Sequence, residues 1–242
     1  MKTLLRNCLH YSKVYIIEES DHAGNIVCIY KSSSTHLGVK SLKNEYCGFL
    51  WYHKQYTSNL EISIEEETKS YIKIKSKFIK GITYPSENGF SRNKPYLPSI
   101  IEHYSNTWLN STKDGLHSIH GDFSIGNIIF CDTYPTIIDW EHFKENVCPI
   151  GFDGLNLLFE QLWFEGDAKR VNQKTIDELA KMILILRERG SLDSFFVDSP
   201  LKKVITFVKE NTYLWNEQEE KLPVLQFTDY EVSLIDDVIR KS

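Results

Sequence analysis

The chain has 242 residues, 41% hydrophobic and 25% charged, the balance of a globular protein with enough length for one large domain or two lobes. With 28 Lys and Arg against 33 Asp and Glu the net charge is −5, which argues against nucleic-acid binding through a general basic surface. The five cysteines, at 8, 28, 47, 131 and 148, form no C-x-x-C pair and are too sparse for a disulfide scaffold. Cys28 and Cys131 read as buried free thiols, and the set points to a reducing, cytoplasmic compartment.

The first residues carry a positive charge but no apolar run of signal-peptide length, and no window approaches the length of a membrane span. Thr3 to Leu9 reads as a strand, followed by a second over Lys13–Glu18. Asp21-His22-Ala23-Gly24-Asn25 has the composition of a hairpin turn, and Ile26–Lys31 reads as a third strand. By the period-two rule Val27, Ile29 and Lys31 share one face of that strand. Taken alone, the strand better fits a lysine that ends in solvent. The loop at 7–13, Asn-Cys-Leu-His-Tyr-Ser-Lys, holds no glycine. Glycine is the residue that lets backbone N–H groups come close to phosphates; here the hydroxyls of Tyr11 and Ser12 are the available substitutes.

Residues 32–38 read as a polar loop. Apolar residues at 42, 46, 49, 50 and 53 then predict a helix from about Ser41 to Tyr56, with Glu45 in its first turn. A second β region is predicted over Leu60–Ile64 and Tyr71–Ile79, separated by a charged turn at Glu65–Lys69. Residues 84–97 read as a loop, and a helix is predicted from Pro98 through Trp108. Near the C-terminus, Thr175-Ile176-Asp177-Glu178 has the pattern of a capping box ahead of a helix ended by Gly190. Ser199-Pro200 opens another helix running to about Trp215, and 228–239 forms a last amphipathic one.

The most informative stretch is His120-Gly121-Asp122-Phe123-Ser124-Ile125-Gly126-Asn127-Ile128-Ile129-Phe130, followed by Ile137-Ile138-Asp139-Trp140-Glu141. Two short apolar runs around turn residues predict a β-hairpin, with Asp122 and Asn127 before it and Asp139 just after its second strand. The hairpin is expected to bring Asp139 back beside Asn127. A carboxylate that takes a hydroxyl proton, with hard oxygen ligands for Mg2+, suits phosphoryl transfer. The bland reading is a hairpin with solvated polar ends, since Asp and Asn are ordinary turn residues.

The H-x-D-x-x-x-x-N spacing matches the catalytic loop of kinases. With Gly at 121 and Ile-Ile-Asp-Trp-Glu downstream, the chain resembles the aminoglycoside phosphotransferase/choline kinase family of small-molecule kinases. The resemblance implies an α+β, two-lobed protein-kinase-like fold, with a β-rich N-lobe over 1–80 and a mainly helical C-lobe over 81–242, joined at Phe78-Ile79-Lys80-Gly81. It implies Asp122 as catalytic base and Asn127 and Asp139 as Mg2+ ligands. Lys31 would sit on the nucleotide phosphates, paired with Glu45, and Ile29 would lie against the adenine. His120 would be a structural brace, and Asp153 would cap the helix over Asp153–Trp163. The short segment after Asp139 favours a small-molecule acceptor over a peptide. The activity implied is an ATP-dependent transfer to a hydroxyl of a sugar-like or amino-alcohol acceptor. The glycine-free loop keeps open a catalytically silent nucleotide- or partner-binding module on the same fold.

Overall fold

The computed structural model describes residues 2–7, 13–55, 61–111, 114–131, 135–166, 172–214 and 222–241. The chain divides into two compact units: Met1–Gly81 with Ile138–Phe143, and Ile82–Ile137 with Lys144–Ser242.

In the first unit, β1 (Lys2–Asn7), β2 (Tyr15–Ser20), β3 (Ile26–Ser33), β4 (Ile62–Glu67) and β5 (Ile72–Lys77) form an antiparallel sheet in the order β1-β2-β3-β5-β4. The β2–β3 hairpin forms where turn chemistry predicts it. Asp21 Oδ1 accepts the N–H groups of Ala23 and Asn25 at 2.8 and 2.9 Å, and Gly24 takes φ +86°. The alternation of Ile and Lys in β5 sends Ile72 and Ile74 inward, where they pack with Val14 and Leu42. Leu42 belongs to α1 (His36–Gln55), which lies on this face of the sheet.

Two expectations change here. Helix α1 begins five residues before the predicted Ser41, because Thr35 acts as its cap: its Oγ1 accepts from Gly38 N at 3.1 Å. Glu45 therefore lies mid-helix rather than in the first turn. Strand β4 also extends through Glu67, and the turn follows it, closed by Thr68 N donating to Tyr71 O at 2.8 Å. The expected loop at 7–13 falls mostly on residues 8–12, with Tyr11 and Ser12, which lie outside the described residues.

In the second unit, the segment expected to be a loop at 84–97 holds a 3-10 turn at Ser86–Asn88 and a short helix, α2 (Gly89–Asn93). It is fastened by Asn93 Nδ2, which donates to Pro85 O at 3.0 Å and to Gln161 Oε1 at 2.7 Å. Helix α3 (Leu97–Trp108) has Pro98 in its first turn, as predicted. Strand β6 (His117–Ile119) pairs with β9 (Lys144–Cys148), a strand whose polar sequence gave no signal. Between them, β7 (Ile128–Phe130) and β8 (Pro135–Ile137) form the predicted hairpin, with Ile128 opposite Ile137.

Helix α4 (Phe152–Phe164) is buried at every position from Phe152 to Leu162 and forms the centre of this unit. The chain continues through α5 (Gln173–Glu188), α6 (Ser194–Val197), α7 (Pro200–Glu210) and α8 (Asp229–Lys241); α5 and α7 pack on α4, and α8 packs on α5 and α7. Helix α5 is capped by Asn172, whose side chain accepts from Lys174 N at 3.0 Å. The predicted Thr175–Glu178 box is not used, and Glu178 pairs with Lys94 at 2.7 Å instead. Helix α7 stops at Glu210 and a 3-10 turn follows over Thr212–Leu214; Trp215 lies outside the described residues.

Cys28, Cys47, Cys131 and Cys148 are free thiols. Cys148 is buried, but Cys28, on β3, and Cys131, one residue past β7, are half-buried rather than buried as expected. No helix among the described residues is long and apolar enough to cross a membrane.

Candidate active site

Within the first unit the structure brings together Lys31, Glu45 and Asp139. Lys31 stands on β3 between Ile16 of β2 and Ile74 of β5, so its backbone is held on both sides. Its ammonium lies 2.8 Å from Glu45 Oε1 and 3.0 Å from Asp139 Oδ1. Burial alone would lower its pKa, but the two carboxylates, Asp139 and Glu45, outweigh it and hold the pKa above the usual lysine value. Burial and the nearby Asp139 charge push the Glu45 carboxyl up to about 7, although Lys31 pulls it the other way. Lys31 is therefore a fixed cation rather than a strand residue ending in solvent. Ile29, two residues earlier on β3, is half-buried opposite Glu18 and Ser76.

Asp139 itself has φ +63°, a left-handed conformation uncommon outside glycine. It follows β8 by two residues, so the hairpin register sets where it leaves the strand.

Within the second unit Asp122 and Asn127 meet. Asn127 Nδ2 donates to both the backbone O and Oδ2 of Asp122, each at 2.9 Å. His120 is fully buried, and its Nδ1 accepts from Asp122 N at 3.3 Å. Gly121 has φ +85°, so a residue with a Cβ would be strained there. Asp153 departs from its expected role. The N-terminal cap position of α4 is Gly151, and the Asp153 carboxylate reaches across to accept His120 N at 2.8 Å and Gly121 N at 3.4 Å. It thereby fixes the backbone just before Asp122, and burial raises its pKa to about 7.

Glu160 was not foreseen. It is 8% exposed on α4, hydrogen-bonded to Ser86 and close to the carboxylates of Asp122 and Glu87. Its burial foremost, and then the charge of Asp122, push its pKa up to about 8. It shares α4 with Asp153, Asn156 and Gln161, so nothing in the sequence marks it out.

Asp139 in the first unit and Asn127 in the second each carry an oxygen of the kind that Mg2+ takes. The ion takes carboxylate and amide oxygens and keeps several water or phosphate ligands rather than a complete protein cage. Asp139 offers a carboxylate. The Asn127 amide nitrogen is committed to Asp122, so its Oδ1 is the amide atom that could serve a cation. Among the described residues no group of three or more His, Cys, Asp or Glu forms a metal cage.

No protein-family model and no curated protein matches the sequence. Several solved structures resemble it in fold. WaaP in complex with acyl carrier protein aligns at a TM-score of 0.50 over 89% of this chain and 88% of its own, with 10% identity. The ternary complex of streptomycin, ATP and APH(2")-IIa gives 0.49 over 96% and 93%, also at 10% identity. A choline/ethanolamine kinase family protein from Mesorhizobium loti gives 0.45 over 99% and 93%, at 11% identity. The chain has a kinase-like fold, with a β-sheet N-terminal region and a helical C-terminal part, as the resemblance read from its motifs implies.

Proposed function

We propose that the protein is a phosphotransferase that moves the γ-phosphate of ATP to a hydroxyl of a small molecule, with a sugar-like or amino-alcohol acceptor. The observation that carries this reading is the Lys31 ammonium held between the carboxylates of Glu45 and Asp139. That arrangement fixes a cation for phosphate binding. In this reading residues 1–80 serve the nucleotide, with Ile29 against the base, and 81–242 serve the acceptor.

Asp122 takes the proton of the acceptor hydroxyl at its free carboxylate oxygen, while the amide of Asn127 holds the other in orientation. Asp153 and His120 fix the main chain on which Asp122 stands. Asn127 and Asp139 would hold Mg2+, which when bound neutralises charge on the phosphate oxygens. The work of the chain is positioning and charge neutralisation rather than covalent catalysis. The free thiols and the moderate negative charge suit a cytoplasmic enzyme with no nucleic-acid partner.

The test is ADP release with Mg2+ and ATP across sugars, amino alcohols and aminoglycosides. Asp122→Asn is expected to lower turnover by about 10²–10⁴-fold while nucleotide still raises the melting temperature. Full turnover in that variant would remove Asp122 from the chemistry. A second reading, a silent nucleotide-binding module, is favoured by the glycine-free sequence at 7–13. It predicts thermal stabilisation by Mg2+ and ATP, lost in Asp139→Ala, with no ADP release for any acceptor.

A further inference from the structure

Helix α1 does more than present Glu45. Asn44, Gly48, Trp51 and Tyr52 follow Glu45's side of the helix at the spacing of successive turns, and each of them grips the turn that begins at Asp139. Asn44 Nδ2 donates to the backbone oxygen of Glu141 at 3.0 Å. At Gly48 the helix surface is notched. A Cβ added there would lie 2.6 Å from Trp140 Cβ and 3.0 Å from the Cβ and Cγ of Phe143. The Trp51 ring lies 5.7 Å from the rings of both Trp140 and Phe143, and the Tyr52 ring 5.3 Å from that of Trp140. Trp140 is fully buried as a result.

These grips act on the residues one, two and four places after Asp139, whose own φ is +63°. A non-glycine residue persists in such a conformation when its surroundings over-determine it. Glycine is a poor residue for the middle of a helix, so its presence at 48 needs a packing reason, and Trp140 supplies one. Plain packing would account for the rings and the notch. It does not account for a side-chain amide aimed at a main-chain carbonyl two residues beyond a strained Asp.

We propose that Asn44 and Gly48 are positioning residues for Asp139: the amide clasp and the notch hold the 139–143 turn so that the Asp139 carboxylate is set for binding magnesium with nucleotide. The proposal rests on the phosphotransferase reading. It makes α1 a bracket for both groups that meet at Lys31, with Glu45 holding the ammonium directly and Asn44 and Gly48 holding the Asp139 backbone.

The test uses the full chain and a non-hydrolysable ATP analogue, its affinity measured by calorimetry with and without Mg2+. Asn44→Asp keeps the shape of the side chain but faces the Glu141 carbonyl with an acceptor. Asn44→Gln restores an amide donor. Gly48→Ala closes the notch. Leu50→Ala, at a position 46% exposed on α1, is the control. Wild type, Leu50→Ala and, in larger part, Asn44→Gln are expected to bind the analogue more tightly with Mg2+. Asn44→Asp and Gly48→Ala are expected to keep Mg2+-free affinity within about twofold and to lose at least about tenfold of the Mg2+-dependent gain. If Gly48→Ala fails to fold, the Asn44 pair still decides. Variants that are less heat-stable yet retain the full Mg2+-dependent gain would overturn the proposal and leave the phosphotransferase reading standing. A wild type that binds the analogue under neither condition would overturn both.

Discussion

Glu160 is a buried carboxyl whose neighbours are a serine hydroxyl and two further carboxylates, and this sets its behaviour with pH. Its folded pKa of about 8 lies above the ordinary glutamate value of 4.5. Between those values the native state binds the proton that the unfolded chain has released, so stability falls as pH rises from about 5 to about 8. Asp153, pushed up to about 7, works in the same direction. Wild type is therefore expected to lose on the order of a few kcal/mol of unfolding free energy across that range. Glu160→Gln, which cannot ionise, should show a visibly shallower decline in urea midpoints measured from pH 5 to 8.5. An unchanged slope would mean that Glu160 is already ionised in the native state. Asp153→Ala should cost roughly 2–5 kcal/mol, because it strands the buried N–H groups of His120 and Gly121; an urea titration at pH 6 checks this. Asp122, Asn127 and Asp139 stand out in the sequence because kinase chemistry spaces them along one short stretch. Glu160 and Asp153 do not, since what defines them is what lies across the fold from α4.

The elements whose determinants are local were the ones legible in the sequence. The β7–β8 hairpin and the β2–β3 turn carry their own turn residues, and both form where expected. Helix starts were less legible, because several Ser, Thr and Asn residues compete for each cap. Thr35 and Asn172 cap α1 and α5, although the apolar periodicity and the Thr175–Glu178 pattern pointed further along the chain. The contrast can be measured. Asn172→Ala should destabilise the protein by about 1 kcal/mol, whereas Thr175→Ala should change it by less than about 0.5 kcal/mol, both read from thermal or urea unfolding. Equal effects would return the cap to Thr175. Strand β9 was invisible for a different reason. Lys144–Cys148 has no alternating apolar pattern, and it becomes a strand only because β6 lies alongside to pair with it.

Across the whole molecule, the first unit is not continuous in sequence. Residues 1–81 need Ile138–Phe143 to complete them, and Trp140 and Phe143 cover the face of α1 around Gly48. Removing two buried aromatic side chains from a unit of this size is worth several kcal/mol, at about 3–5 kcal/mol each. A fragment of residues 1–81 is therefore expected to melt without a sharp transition and to bind a hydrophobic dye, and adding 138–143 through a short linker should restore a cooperative melt. A sharp melt of the 1–81 fragment alone would show the return segment to be dispensable. The motif at Ile137–Glu141 pointed to chemistry; that its Trp140, together with Phe143, also completes the core of the first unit could not be read from it, because their packing partners lie nearly a hundred positions earlier.

That discontinuity also bears on how the protein is made. A ribosome adds about 5–20 residues per second, so the N-terminal strands and α1 emerge several seconds before Trp140 does. During that interval the nascent chain displays an uncovered aromatic-rimmed helix face beside a sheet with open edges, the kind of surface that chaperones engage and that neighbouring chains on a polysome can capture. Codon choice and expression temperature should therefore affect soluble yield most strongly across the stretch translated between Gly81 and Phe143.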